Sequence, residues 1–291
     1  MLPSFPGKVR LIDAAATVLR FTGRNERKVC LWEGAEFCVD LRDRIQRQMW
    51  CGCYEPHVTA ALRKILRRGD TFVDLGAHIG YHSYFAAGLV GASGSVFSFE
   101  ADPANFQRLR KNLQHFPQAI LEHCAIWSDE ENLMFTRSES LKESGWGALA
   151  RVRTAPQREQ VEVHGVSLDA WGERAKPEAI RAIKIDVEGA ELAVLCGAKQ
   201  VLQSMRPILL LEMSEPLLRQ SGASAVVIEE LLRNHKYELN RLADGTLLPW
   251  TALGSDESVD CVAVPEECGV FKKTHLGRSG AKVEWGGVSF R

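Results

Sequence analysis

Two rhythms of apolar and polar positions run through this chain, and the switches between them mark its elements. Thr71-Phe72-Val73 is a short apolar run that ends at Asp74 and breaks into a glycine turn, Gly76-Ala77-His78-Ile79-Gly80. Tyr81, Tyr84, Phe85 and Leu89 then recur at spacings of three to four, which predicts a helix with one apolar face. Ser95 to Phe99 is a second strand-like run and ends on Glu100, after which Phe106, Leu109 and Leu113 mark a helix over Pro103 to Leu113. The logic repeats downstream. Ala182 to Ile185 ends at Asp186, with Gly189 opening a helix that carries Leu192, Val194 and Leu195, and Pro207 to Leu211 ends at Glu212. Between these blocks, Ile120 to Ile126 reads as a strand running to Trp127-Ser128-Asp129. Val161 to Leu168 reads as another, followed by a short helix capped by Ser167 or Asp169.

The flanks are simpler. Residues 8–21 predict a helix through Val9, Ile12, Ala16 and Leu19, Val29 to Leu41 alternates like a hairpin, and Val58 to Leu66 is an amphipathic helix leading to the first strand. A helix over Ser224 to Asn234 precedes strands at Tyr237 to Leu242 and Val259 to Val264. No helix separates those two strands, so the last should slip into the sheet antiparallel. We therefore expect an N-terminal cover over residues 1–50, a catalytic domain over 51–268 and a peripheral tail over 269–291. Residues 136–160 break the pattern as a long, irregular insertion, which in a compact domain is a lid, a binding loop or disorder. Arg137, Lys142, Arg151, Arg153 and Arg158 make it basic, so it either selects an anionic or polar acceptor or is a solvated loop.

Composition narrows the class. The 291 residues, 45% hydrophobic and 25% charged, are those of a globular protein with ample core. A net charge of −1 argues against a broad nucleic-acid surface, which makes nucleic acid an improbable partner. Eight cysteines contain no C-x-x-C pair, only Cys51-Gly52-Cys53, and read as reduced thiols. The start lacks the basic and apolar regions of a signal peptide, no run approaches the roughly 20 apolar residues of a membrane span, and a cytoplasmic location is expected.

The candidate chemistry follows from where the acids fall. Parallel strands joined by crossover helices bring their carboxyl ends to one edge, and ligands bind in the crevice there. Gly76 and Gly80 let backbone approach a ligand, and Glu100, one strand over, is placed to accept from both ribose hydroxyls. The turn lacks both the dinucleotide fingerprint and the phosphate-cradling loop. It carries Asp-x-Gly-x-x-x-Gly, whose Asp74 would repel a diphosphate and suit an amino group. S-adenosylmethionine has adenosine, a sulfonium and an aminoacyl end without phosphate. Ser128 or Asp129, past the third strand, would meet the adenine. Glu55 either folds over the site or favours a helix dipole. Lys184, Asp186, Glu188 and Glu212 cluster at neighbouring strand ends. There, Asp186 or Glu188 would orient and deprotonate an acceptor, unless Glu188 only caps the helix at Gly189 and Lys184 is a structural ion-pair partner. No spacing demands a metal, although the carboxylates could hold Mg²⁺.

Tyr54-Glu55-Pro56, Phe72-Val-Asp-Leu-Gly-Ala-His-Ile-Gly80, Phe99-Glu100-Ala-Asp-Pro103, Ile183-Lys-Ile-Asp-Val-Glu-Gly-Ala-Glu191 and Ile208-Leu-Leu-Leu-Glu212 together resemble the FkbM family of S-adenosylmethionine-dependent methyltransferases. The resemblance runs from about residue 50 to 265, with the segment from Lys184 to Glu191 as its specific signature. It implies a Rossmann-like class I methyltransferase fold: α/β, a seven-stranded, mostly parallel sheet with helices on both faces. It also implies S-adenosyl-L-methionine as cofactor and O-methylation of a hydroxyl on a sugar, polyketide or other small molecule. The implied cofactor contacts are Glu55, Asp74, Gly76, His78, Gly80, Glu100, Ala101 and Ser128. His78 departs from the family, which more often has Asn there; it should still reach the aminoacyl end, with a charge that depends on pH. The alternatives are an N-methyltransferase, a macromolecule methyltransferase using the basic 137–158 loop, or a cofactor-binding scaffold without catalysis.

Overall fold

A computed structural model describes residues 23, 25–32, 35–137, 145, 147–149, 159–268, 271–274 and 282–285. The helix expected over residues 8–21 and the basic residues Lys142, Arg151, Arg153 and Arg158 lie outside the described residues. The chain opens with an antiparallel hairpin, β1 (Glu26–Trp32) and β2 (Ala35–Asp40), and a short helix α1 (Arg44–Trp50). Helix α2 (Pro56–Ile65) starts on a proline, whose missing N–H costs nothing in a first turn, and buries Val58, Ala61, Leu62 and Ile65. The glycine turn lies between β3 (Thr71–Leu75) and α3 (Tyr81–Val90), followed by β4 (Ser95–Phe99), α4 (Pro103–Leu113) and β5 (Ala119–Glu122).

The strand expected over Ile120 to Ile126 is broken at His123 and Cys124. Its second part, β6 (Ala125–Trp127), leaves the main sheet and joins β7 (Glu131–Thr136), β8 (Ala148–Leu149) and β9 (Gln160–Ser167) in a separate four-stranded sheet. Helix α5 (Leu168–Ala175), capped by Ser167, leads back to β10 (Ala182–Ile185), α6 (Glu191–Cys196) and β11 (Ile208–Ser214). Asp169, the other cap candidate, instead accepts from the backbone N–H groups of Gln200 and Val201. After α7 (Glu215–Gln220) and α8 (Ala225–Asn234) come β12 (Tyr237–Ala243), β13 (Thr246–Pro249), β14 (Ser258–Pro265), β15 (Phe271–Thr274) and β16 (Lys282–Trp285).

The main sheet runs β5-β4-β3-β10-β11-β14-β12, the class I methyltransferase order. Strands β5 through β11 are parallel, and β14 is inserted antiparallel to both β11 and β12. Beyond these, β13, β16 and β15 extend the edge, giving ten strands among the described residues. Period-two alternation assigns each strand's side chains to two cores. Phe72 packs with Val58, Leu62, Ala86 and Val90 on one face, and Val73 and Leu75 pack with Trp171, Val194 and Leu195 on the other. The chain leaves β3 towards β4 and β5 and later returns on its other side with β10 and β11. The crevice between β3 and β10 is therefore a topological switch point, where open α/β sheets bind ligands. The hairpin is docked onto this frame: Tyr84 donates from its hydroxyl to the Ala35 carbonyl at 2.6 Å, and the Asn112 amide pairs with the Cys38 backbone. None of the eight cysteines is in a disulfide, and no helix among the described residues is long and apolar enough to cross a membrane.

Candidate active site

At the carboxyl ends of β3, β4, β10 and β11 lies a solvent-connected cavity of about 260 Å³. One wall is the glycine turn. Gly76 has φ +79, and a Cβ there would sit 1.8 Å from the Asp186 carbonyl oxygen, so only glycine lets β3 and the end of β10 close up. The N–H groups of Gly76 and Ala77 both donate to the Phe99 carbonyl, which pins the turn to β4. Glu100, just past β4, is buried and accepts from His78 N–H at 2.7 Å through one carboxyl oxygen and from Asp102 N–H at 2.8 Å through the other. Those bonds leave lone pairs on both oxygens, which is what accepting from two ribose hydroxyls requires. Burial pushes its carboxyl up to about 8, against the pull of the two N–H donors.

The opposite wall is acidic. β10 pairs in parallel with β3, so Asp186 emerges beside the glycine turn, followed by Val187 and Glu188. Asp186 accepts from the Lys184 ammonium at 2.6 Å; Lys184 is buried, yet its pKa is raised because Asp186, Asp74 and Glu55 outweigh its desolvation. Glu55, in a left-handed conformation (φ 37) before α2, accepts from His82 Nε2 at 2.8 Å. Burial pushes the Glu55 carboxyl up, but the His82 contact and the Lys184 charge bring it down to about 2. Glu212, at the end of β11, completes the wall, and carboxylate oxygens of Glu55, Asp186 and Glu212 all lie within 4.8 Å of one another.

Of the positions singled out from the sequence, Glu55, Gly76, His78, Glu100, Ala101, Asp186, Glu188 and Glu212 line this cavity. Four others do not. Asp74 is still within β3 and shares a face with Phe72, so its buried carboxylate turns to the Ser83 hydroxyl instead of the crevice. Gly80 has φ +90, and a Cβ there would meet Leu109 at 2.7 Å; its smallness serves the packing of α3 on α4. Lys184 stands behind Asp186. Ser128 sits against Gly197, because the break after β5 brings Cys124, Ala125 and Ile126 to the cavity in its place. Asp129 is exposed and also outside the lining. The helix after β10 begins at Glu191, two residues later than expected, and a carboxylate that holds its entry is that of Glu191, which accepts from Gly189 N–H at 3.0 Å. His78 adopts φ 53, a conformation asparagine tolerates well, and burial lowers its pKa.

Sequence reasoning passed over Tyr54, Asn105, Phe135 and Leu149 as wall residues, and His82 as the partner of Glu55. His82 had a signal: it follows the glycine turn directly, on the first turn of α3. Phe135 and Leu149 had none, since they arrive from the second sheet. Arg137, at the start of the basic insertion, donates to Asp102 and Glu159.

Residues 74–239 match the methyltransferase FkbM domain. Hexuronic acid methyltransferase AglP of Haloferax volcanii is 29% identical over 152 residues, which are 52% of this chain and 59% of that protein. Among solved structures, a methyltransferase FkbM from Methylobacillus flagellatus KT superposes with a TM-score of 0.43 at 16% identity, over 76% of this chain and 54% of the other. A precorrin-6y C5,15-methyltransferase from Geobacter metallireducens GS-15 superposes with a TM-score of 0.41 at 16% identity, over 72% and 89%. The chain thus spans a little over half the length of the first two relatives. With the domain match covering more than half its residues, this chain belongs to the FkbM methyltransferase family.

Proposed function

We propose that this chain transfers a methyl group from S-adenosyl-L-methionine to a hydroxyl of a small molecule, with a carbohydrate as the foremost acceptor class. The observation that carries the reading is the pairing, in one cavity, of a nucleoside-type wall (Gly76, His78, Glu100) with a carboxylate wall (Glu55, Asp186, Glu188, Glu212). The cofactor fits the residues present: Glu100 has acceptor capacity left for a diol, and the cavity wall by Gly76 is bare backbone. When bound, it supplies an electrophilic methyl on a good leaving group. The protein's share is alignment, together with a place for the acceptor's proton. Glu100 holds the ribose, and Cys124, Ala125 and Ile126 form the apolar side against which a base can lie. Asp186 or Glu188 accepts the proton that leaves the hydroxyl, with Lys184 keeping Asp186 in place. Phe99, Phe135 and Leu149 add apolar surface to the lining of the same cavity.

A relative named for methylation of a hexuronic acid supports a carbohydrate acceptor. Incubation with labelled S-adenosylmethionine and separated pools of glycans, glycosides and other hydroxyl compounds tests the reading. Label should appear in a carbohydrate fraction and depend on Asp186 or Glu188. Label in protein or nucleic acid, or on nitrogen, would overturn it.

A further inference from the structure

Glu212 is the member of the acid trio with no basic side chain as a partner among the described residues. Asp186 has Lys184 at 2.6 Å and Glu55 has His82 at 2.8 Å. The groups that face Glu212 are almost all negative. Asp186 comes from the end of β10 and Glu55 from the turn before α2, each with a carboxylate oxygen within 4.8 Å of one on Glu212. Asp260 on β14 is its direct partner in the antiparallel register, and that carboxylate is already engaged by His57 of α2. Lys184 of β10, which shares a small second cavity with Glu212, is committed to Asp186. Like charges this close in a partly buried site cannot all ionise, so the carboxyl with neither an ammonium nor an imidazole against it keeps its proton. The direction of its titration agrees: the charge of Asp186 first, then burial, then Asp260 hold the Glu212 carboxyl well above the usual range.

That state is conditional on the cavity's contents. The acid wall and the glycine turn line the same space, so a cationic ligand cannot fill it without facing Glu212. We propose that Glu212 reads the charge of the cofactor, giving its proton to solvent when the sulfonium of S-adenosylmethionine enters and taking one back when the neutral thioether is left. The balance is one carboxyl O–H broken and one proton passed to buffer on binding, with the reverse after transfer. The inference rests on S-adenosylmethionine being the cofactor. It gives the enzyme a means to favour its substrate over its product, since only the cation is attracted by the ionised carboxylate.

Calorimetric titration in buffers of differing ionisation heat, between pH 6.5 and 8.5, tests this without any acceptor. The full chain is titrated with S-adenosylmethionine and with S-adenosylhomocysteine, as the parent and as Glu212→Gln. Changes at Glu100 are common to both ligands, and the ligands' own amino groups titrate alike in parent and variant, so both cancel in the double difference. With S-adenosylmethionine the parent should release on the order of half a proton more than the variant, and its Kd should tighten roughly tenfold more across that range. S-adenosylhomocysteine should show no such difference. Equal proton counts in parent and variant overturn the inference, as does a difference of the same size with both ligands. If neither ligand binds the parent, the cofactor reading fails and takes the inference with it. Glu212→Met removes the same carboxyl and gives the same readout if the amide variant folds poorly.

Discussion

Replacing Gly76 with alanine tests the closest approach in the site, and Gly222→Ala supplies its control. The two glycines have nearly the same φ, +79 and +77. Each alanine therefore carries the cost of a left-handed conformation, about 1–2 kcal/mol. They differ in surroundings. A Cβ at Gly222 meets nothing within 4 Å, whereas one at Gly76 falls 1.8 Å from the Asp186 carbonyl oxygen and 3.0 Å from its carbon. Those atoms are backbone, fixed by the pairing of β10 with β3 and by the Asp186 N–H bond to Leu75 at 3.1 Å, and cannot swing aside as a side chain would. Overpacking of this kind adds about 1–3 kcal/mol. Gly76→Ala should therefore lose about 2–5 kcal/mol, and Gly222→Ala only the first part. Urea denaturation at 25 °C measures both as shifts in midpoint at constant slope. Calorimetry should further show that Gly76→Ala loses S-adenosylhomocysteine binding while Gly222→Ala keeps it. If the two variants lose equal stability, the contact between the glycine turn and Asp186 does not constrain the site and the reasoning fails.

Glu100→Ala should weaken cofactor binding by about 1.5–3 kcal/mol for each charged hydrogen bond lost, and unchanged affinity would remove Glu100 from the nucleoside site. Because the Glu100 carboxyl is raised to about 8, both cofactor and thioether product should bind more tightly as pH climbs through that value, an effect that Glu100→Gln should flatten. Asp186→Asn or Glu188→Gln should bind S-adenosylmethionine about as tightly as the parent and transfer methyl at least ~10²-fold more slowly, as expected for a group that acts on the acceptor's proton. Transfer at the parental rate in both variants would leave alignment alone to carry the reaction. The Glu55 carboxyl is depressed from 4.5 to about 2, so the stability it contributes is present above pH 4.5 and is lost as pH falls towards 2. Melting temperatures of parent and Glu55→Gln should accordingly converge over that window; a constant gap would dismiss the pairing with His82 as a source of stability.

Much of this architecture is written in local pattern. Strands buried on both faces read as continuous apolar runs, and the acids that end them stand out because such runs admit few charges. Asp186, Glu100 and Glu212 could thus be placed at one edge of the sheet before any coordinate was known. The insertion of β14 followed from the missing helix after β12, and the demand for glycine at position 76 followed from its place between strand and helix. What the sequence could not supply was direction and long-range company. Asp74 and Asp186 look alike as strand-end acids, but one more residue of strand keeps Asp74 on the α2 and α3 face, where it meets Ser83, while Asp186 clears the sheet. The apparent strand through Cys124 and Ile126 is two strands in two sheets, and only that break brings Cys124 to the cavity and takes Ser128 away. The pairing of Glu55 with His82, and the meeting of Glu55, Asp186 and Glu212 within 4.8 Å, join segments far apart in the chain. Local periodicity reports which face of an element is apolar. Which charges share a low-dielectric wall, and therefore which of them keeps a proton, is fixed by distances between elements that no stretch of sequence contains.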